Sequence, residues 1–105
     1  METTLTTTTS HINTCPCAAC EAPRLRDAAS AGFMAWDREG GQEHASIPLW
    51  DMIQSDMVEA PWAFLSTLQI EARKRRTGDP LELAAVLGIV AFRETYRAAG
   101  GNPNL

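Results

Sequence analysis

The stretch from Asp79 to Phe92 constrains this chain more than any other. Asp79 is a residue type that caps a helix by accepting a backbone N–H. Pro80 suits a first turn, where its missing N–H is not needed, and Glu82 follows the cap by three residues, as in a capping box. From Leu83 to Phe92 the sequence is then apolar nearly all round. A helix without a polar face has to be surrounded, so residues 80–98 are predicted to form the innermost helix of a bundle. Tyr96 extends its stripe and Gly100-Gly101 stop it. The run is about half of the roughly 20 apolar residues that a bilayer-spanning helix needs, so it reads as core.

Three further helices follow from periodicity. A first, from Ala22 to Glu39, has Pro23 in its opening turn and carries Leu25, Ala29, Phe33 and Trp36 on one face; Gly40-Gly41 end it. Gln42 to Ser46 reads as a polar connection. A second helix, Pro48 to Val58, has Ser46 or Ile47 near its cap and the stripe Leu49, Ile53, Met57, widened by Met52. Pro61 disfavours helical backbone at Ala60 and so separates it from a third, Pro61 to Arg76. There Trp62, Leu65, Leu68 and Ala72 share one side with Phe64 beside them, and Gly78 closes it. No alternating strand pattern competes. The predicted fold class is all-α: a small four-helix bundle (22–100) behind an irregular Thr- and Cys-rich arm (1–21), with a frayed tail (101–105).

Composition narrows the class. At 105 residues the chain makes one domain able to bury a core without disulfides, and 45% apolar with 21% charged residues is ordinary for a globular protein. A net charge of −4 argues against binding nucleic acid through overall charge. The amino terminus lacks the basic start and apolar segment of a signal peptide, and residues 1–14, with seven threonines, read as a disordered leader or an arm that orders on a partner. An odd, clustered set of three cysteines disfavours a secreted disulfide scaffold. A reducing cytoplasm is the expected location.

That cluster is the sharpest chemical signal. Cys15, Cys17 and Cys20 with His11 upstream give His-x3-Cys-x-Cys-x2-Cys, four soft or borderline donors of the kind that bind zinc. Cys17 and Cys20 have the spacing of a tight metal-binding turn, and a helix starting beside them lowers thiol pKa. Against this, both members of a Cys-x-Cys pair rarely reach one metal, and His44 is the only distant fourth candidate. Free thiols, or a Cys17–Cys20 redox pair lacking the usual βαβ setting, remain alternatives.

Charge offers a second set. Arg73, Lys74, Arg75 and Arg76 place four cations at a helix end, where the dipole is negative, or present them to phosphate or an acidic partner. The third helix opens Pro61-Trp62-Ala63-Phe64-Leu65, too apolar for groove insertion. Asp37, Glu39, Glu43, Asp51, Asp56 and Glu59 crowd one region and can face a basic surface. Trp50 falls off the Leu49–Ile53–Met57 line and is a candidate interface anchor. No nucleophile elbow or phosphate-cradling glycine loop occurs, so the chain is not expected to be an enzyme.

The leading functional expectation is therefore a non-catalytic, acidic protein-binding module. Chains of this type are often encoded by phages or mobile elements and block a host nucleic-acid-handling complex by occupying its surface, as anti-CRISPR proteins do. The alternative is a zinc-binding transcriptional or nucleic-acid-binding regulator. The expected partner is a larger protein or protein–nucleic acid complex, with direct nucleic-acid binding less favoured and no membrane; a second copy of the chain would also bury the apolar fourth helix.

Overall fold

A computed structural model describes Cys15 and residues 17–105 of the chain. The described residues fold as five α-helices: α1 Ala18–Arg38, α2 Gly41–His44, α3 Ile47–Glu59, α4 Pro61–Lys74 and α5 Pro80–Ala98. No strand occurs among them. The all-α class read from the sequence holds, with three local differences. The third predicted helix, Pro61 to Arg76, ends at Lys74, because Arg75 turns extended (φ −105°, ψ 157°), so only Arg73 and Lys74 of the basic run lie in its last turn. α1 begins four residues earlier than predicted, at Ala18, so Pro23 lies within the helix rather than in its opening turn. Cys17 starts that turn instead: its carbonyl accepts from the N–H groups of Cys20 at 3.1 Å and Glu21 at 2.9 Å. The predicted polar connection after Gly41 contains one turn of helix, closed by Ala45 N–H donating to Gly41 O at 2.9 Å.

The helix ends are set by side-chain chemistry. Ser46 caps α3 by accepting from Leu49 N–H at 3.3 Å, and Asp79 caps α5 by accepting from Leu81 N–H at 2.8 Å. Glu82 reaches back to Gly78 N–H at 3.4 Å. α1 turns out through Gly40 in the left-handed region (φ 92°), which only glycine enters without steric penalty.

α1 and α5 run antiparallel and form the main packing contact, with α4 on the other flank of α5 and α3 bridging α1 and α4. Gly32 and Gly88 face each other where α1 and α5 cross. A Cβ on Gly88 would lie 3.0 Å from the Gly32 carbonyl oxygen and 2.9 Å from Leu68 Cδ1; one on Gly32 would lie 2.9 Å from both the Gly88 carbonyl oxygen and the Phe64 ring. Around this crossing Trp36, Ile53, Phe64, Leu68 and Phe92 are fully buried, each burial contributing about 1.5–3 kcal/mol. Phe64, Phe92 and Tyr96 stack in a row with centroids 6.4 and 6.3 Å apart.

Three expectations need correction. α5 is not surrounded: Leu83 and Val90 are 48% and 42% exposed, because a bundle this small packs α5 on α1 and α4 and leaves one flank to solvent. Trp62, assigned to the core stripe, is 44% exposed; it lies over Phe92 and Tyr96 at 6.0 and 5.5 Å with one face outward. The tail is not frayed: Gly101 N–H donates to Tyr96 O at 2.9 Å and Leu105 packs against the core. No helix among the described residues is long and apolar enough to cross a membrane.

The crossing generates a direct test. Alanine at position 88 gains about 1 kcal/mol of helix propensity but pushes a methyl into a backbone carbonyl that cannot move without separating the helices. Gly88→Ala is expected to lose about 2 kcal/mol net, read from the urea midpoint, and Gly32→Ala a similar amount; a neutral result for both would show that the two backbones are not in forced contact.

Candidate metal centre

The first turn of α1 explains why three cysteines meet. Cys17 is the N-cap, in extended conformation (φ −66°, ψ 156°), and Cys20 lies one turn on, so both side chains stand at the amino-terminal end of the helix. Cys15, two residues before the cap, returns toward them, and its Sγ lies 3.3 Å from Cys17 Sγ. All three Sγ atoms lie within 4.8 Å of one another. This is non-bonded contact, since a disulfide would bring sulfurs to about 2.05 Å, and all three cysteines are free. Sulfurs sharing a tetrahedral zinc ion at about 2.3 Å would stand roughly 3.8 Å apart, so small side-chain rotations bring the trio to ligand spacing. The three cysteines therefore occupy a possible metal-binding arrangement.

The electrostatics are divided among them. Cys17 is held down to about 7 by the hydrogen bond from Cys15, then by the backbone N–H of Cys20 and by the Cys20 thiol. Cys20 is pushed up to about 11, chiefly because its thiol hydrogen-bonds to Cys17, with Cys15 and desolvation adding to the effect. One thiolate is thus formed near neutral pH at the exposed position and steadied by its neighbours. Thiolate, not thiol, is both the metal ligand and the nucleophile.

Of the nitrogen donors read from the sequence, His11 lies outside the described residues. His44 is not part of the cluster; it sits in α2 with Nδ1 2.8 Å from Gly40 O. Glu21, next to Cys20, is committed elsewhere. Its carboxylate accepts from Arg24 Nη1 at 3.1 Å and from the Tyr96 hydroxyl at 2.5 Å, while Arg24 Nε donates to Ala99 O at 2.9 Å. Arg24 is only 5% exposed. Burial, and then the Glu21 hydrogen bond, push the Tyr96 phenol upward, so it stays a neutral donor. This clasp borders a hollow of about 440 Å³ that Gly100, Gly101, Asn102 and Pro103 complete. It ties the cysteine turn to the far end of α5. Its Glu21–Arg24 spacing is visible in the sequence; its partners Tyr96 and Ala99, some 75 residues away, are not.

The remaining candidates are dispersed. In the basic run Arg73 and Arg76 are exposed, but Lys74 and Arg75 close on Glu71 at 2.8 and 2.6 Å. Burial alone would raise the Glu71 carboxyl; hydrogen bonds from Lys74 and Arg75 and their charges bring it below its ordinary value. Asp37, Glu39, Glu43, Asp51 and Glu59 are exposed, whereas Asp56 is half-buried and accepts from Thr67 Oγ1 at 3.2 Å. Trp50 does not project: it is half-buried against the core and its Nε1 is buried without a hydrogen-bond partner. The reason is helical spacing. Trp50, Ile53 and Met57 stand at i, i+3 and i+7, so the indole belongs to the inward face. The exposed large apolar side chains on α3 and α4 are Ile47, Met52, Val58, Trp62 and Ile70.

The thiol asymmetry is measurable. Because thiolate forms as pH rises through the pKa, alkylation of Cys17 by iodoacetamide is expected to accelerate about tenfold between pH 6 and pH 8 and then level off. Cys20 is expected to stay unmodified until strongly alkaline pH. Peptide mapping by mass spectrometry reads both sites; equal reactivity with a midpoint near 8.5 at each would contradict the hydrogen-bonded trio.

No protein-family model, curated protein or solved structure matches this chain, so its functional reading rests on its own geometry.

Proposed function

We propose that this chain is a non-catalytic helical domain that carries one metal ion on the thiolates of Cys15, Cys17 and Cys20, with zinc the first candidate. The single observation behind the reading is the convergence of three sulfurs within 4.8 Å on one helix turn. Thiolates are the donors zinc favours in structural sites, and the α1 amino terminus offers N–H groups and a positive dipole end to the residual negative charge. Metal here would not be needed for the body, whose core is formed by α1, α3, α4 and α5. Protein purified without chelator is expected to hold about one zinc per chain, lost in Cys17→Ser, with helical content unchanged on chelation. Absence of metal from the wild-type chain under reducing conditions would overturn the reading.

A second reading concerns the outer surface. Val58 at the end of α3 is 69% exposed, and Trp62 at the start of α4 is 44% exposed, both beside the joint at Ala60. Asp51 and Glu59 are exposed on the same helix α3. Exposed apolar side chains on a helix that also exposes carboxylates suit a partner protein with an apolar patch and basic edge, including a protein channel that otherwise holds nucleic acid. An inhibitor of a host nucleic-acid-handling complex would work in this way. The basic run supports direct phosphate binding less well, since two of its four cations are engaged by Glu71. Val58→Asp is expected to leave the thermal midpoint within a few degrees while weakening capture of a partner from host extract at least about tenfold. A partner captured equally well by both forms would remove this surface from consideration.

A further inference from the structure

The coordination that the cysteine turn can offer is narrower than that of a structural zinc site. We propose that Cys15, Cys17 and Cys20 form a three-sulfur seat for a soft monovalent cation, Cu(I), held as a trigonal thiolate complex. The inference rests on the metal-binding reading above and names the ion and its geometry.

Three observations carry it. First, the cluster is all sulfur: among the described residues the group within ligand distance contains the three cysteines and no His, Asp or Glu. Soft thiolate sets select Cu(I) as well as zinc, and carboxylate or imidazole is what tilts a site toward harder ions. Second, Glu21, the carboxylate that follows Cys20 in the chain, is occupied. Both oxygens of Glu21 are held by Arg24 and Tyr96, and turning the carboxylate toward the sulfurs would break the clasp beside the buried Arg24. Three sulfurs complete the shell of a d10 monovalent ion, whereas among the described residues they supply a structural zinc ion with three of its four ligands. Third, all three donors come from six consecutive residues at the tip of one helix, with Cys17 exposed. A segment this short can close its three sulfurs around one small ion without moving any other helix. On binding, the thiols release their protons to buffer as Cu–S bonds form, and no electron changes hands.

The test uses the full reduced chain, freed of metal and titrated anaerobically with Cu(I) delivered from a colorimetric Cu(I) chelator. One copper per chain is expected, with X-ray absorption showing three sulfur neighbours, and one equivalent of Cu(I) should displace zinc loaded beforehand. Groups that merely support a metal ligand are worth roughly ten- to hundredfold in affinity, so Cys15→Ser and Cys20→Ser are each expected to weaken Cu(I) at least tenfold. His11→Ala should leave Cu(I) binding unchanged. Zinc retained against equimolar Cu(I) and lost in His11→Ala would overturn the inference in favour of a closed tetrahedral site, leaving the zinc reading intact. Two-sulfur coordination of copper would also overturn it. Failure of the wild-type chain to bind either ion would remove both readings together.

Discussion

The contact between the α1 and α5 backbones at Gly32 and Gly88 is the constraint on which the rest of this structure depends. Because no Cβ intervenes, each carbonyl oxygen stands where a side chain would otherwise be, about 3 Å from the opposing Cα substituent position. Helices packed through side chains sit roughly 8–10 Å apart, and removing the Cβ atoms lets them approach at the near end of that range. This brings Phe64 and Leu68 of α4 directly against the crossing, so three helices share one dense centre. Each mid-helix glycine is unfavourable by about 1 kcal/mol relative to alanine when considered alone. Close packing in the assembled bundle offsets that penalty.

At one end of the same helix pair the contact is polar. Arg24, buried on α1, donates to the Ala99 carbonyl left over at the end of α5 and pairs with Glu21, which also receives the Tyr96 hydroxyl. The arrangement satisfies a helix-terminal acceptor and a buried cation together. The folded-back tail closes over Tyr96 through Gly101, whose added Cβ would strike the phenol ring. The thiol turn at Cys17–Cys20 precedes Glu21 directly, so the cysteines stand beside the clasp that ties this end of α1 to α5. Rigid mounting matters for a metal site assembled from a short segment, because ligand convergence there is otherwise lost to backbone entropy.

Much of this was legible in the sequence. The capping residues Ser46 and Asp79, the prolines at helix starts and the 3.6-residue apolar stripes fix helix positions through local interactions alone, and the α-helical class follows from them. The spacing of Cys15, Cys17 and Cys20 likewise limits how far apart three thiols can stand. Faces are harder to read than helices. A stripe counted in fours leaves Trp50 outside, although a step of three to Ile53 places it inward. Apolar neighbours in the chain suggest that Leu83 and Val90 are covered, yet covering depends on how many neighbouring helices exist.

By itself, then, the chain determined its four main helices, the caps at Ser46 and Asp79 and the closeness of its thiols, since each of these is decided by residues within about one turn of one another. Only the tertiary structure decided that Gly32 and Gly88 mark a crossing rather than weak points, that Arg24 and Glu21 find Tyr96 and Ala99, and that Glu21 is withheld from the sulfurs. Those outcomes join residues more than 50 positions apart, and they depend on which helix faces which, a choice made by the packing of the whole core.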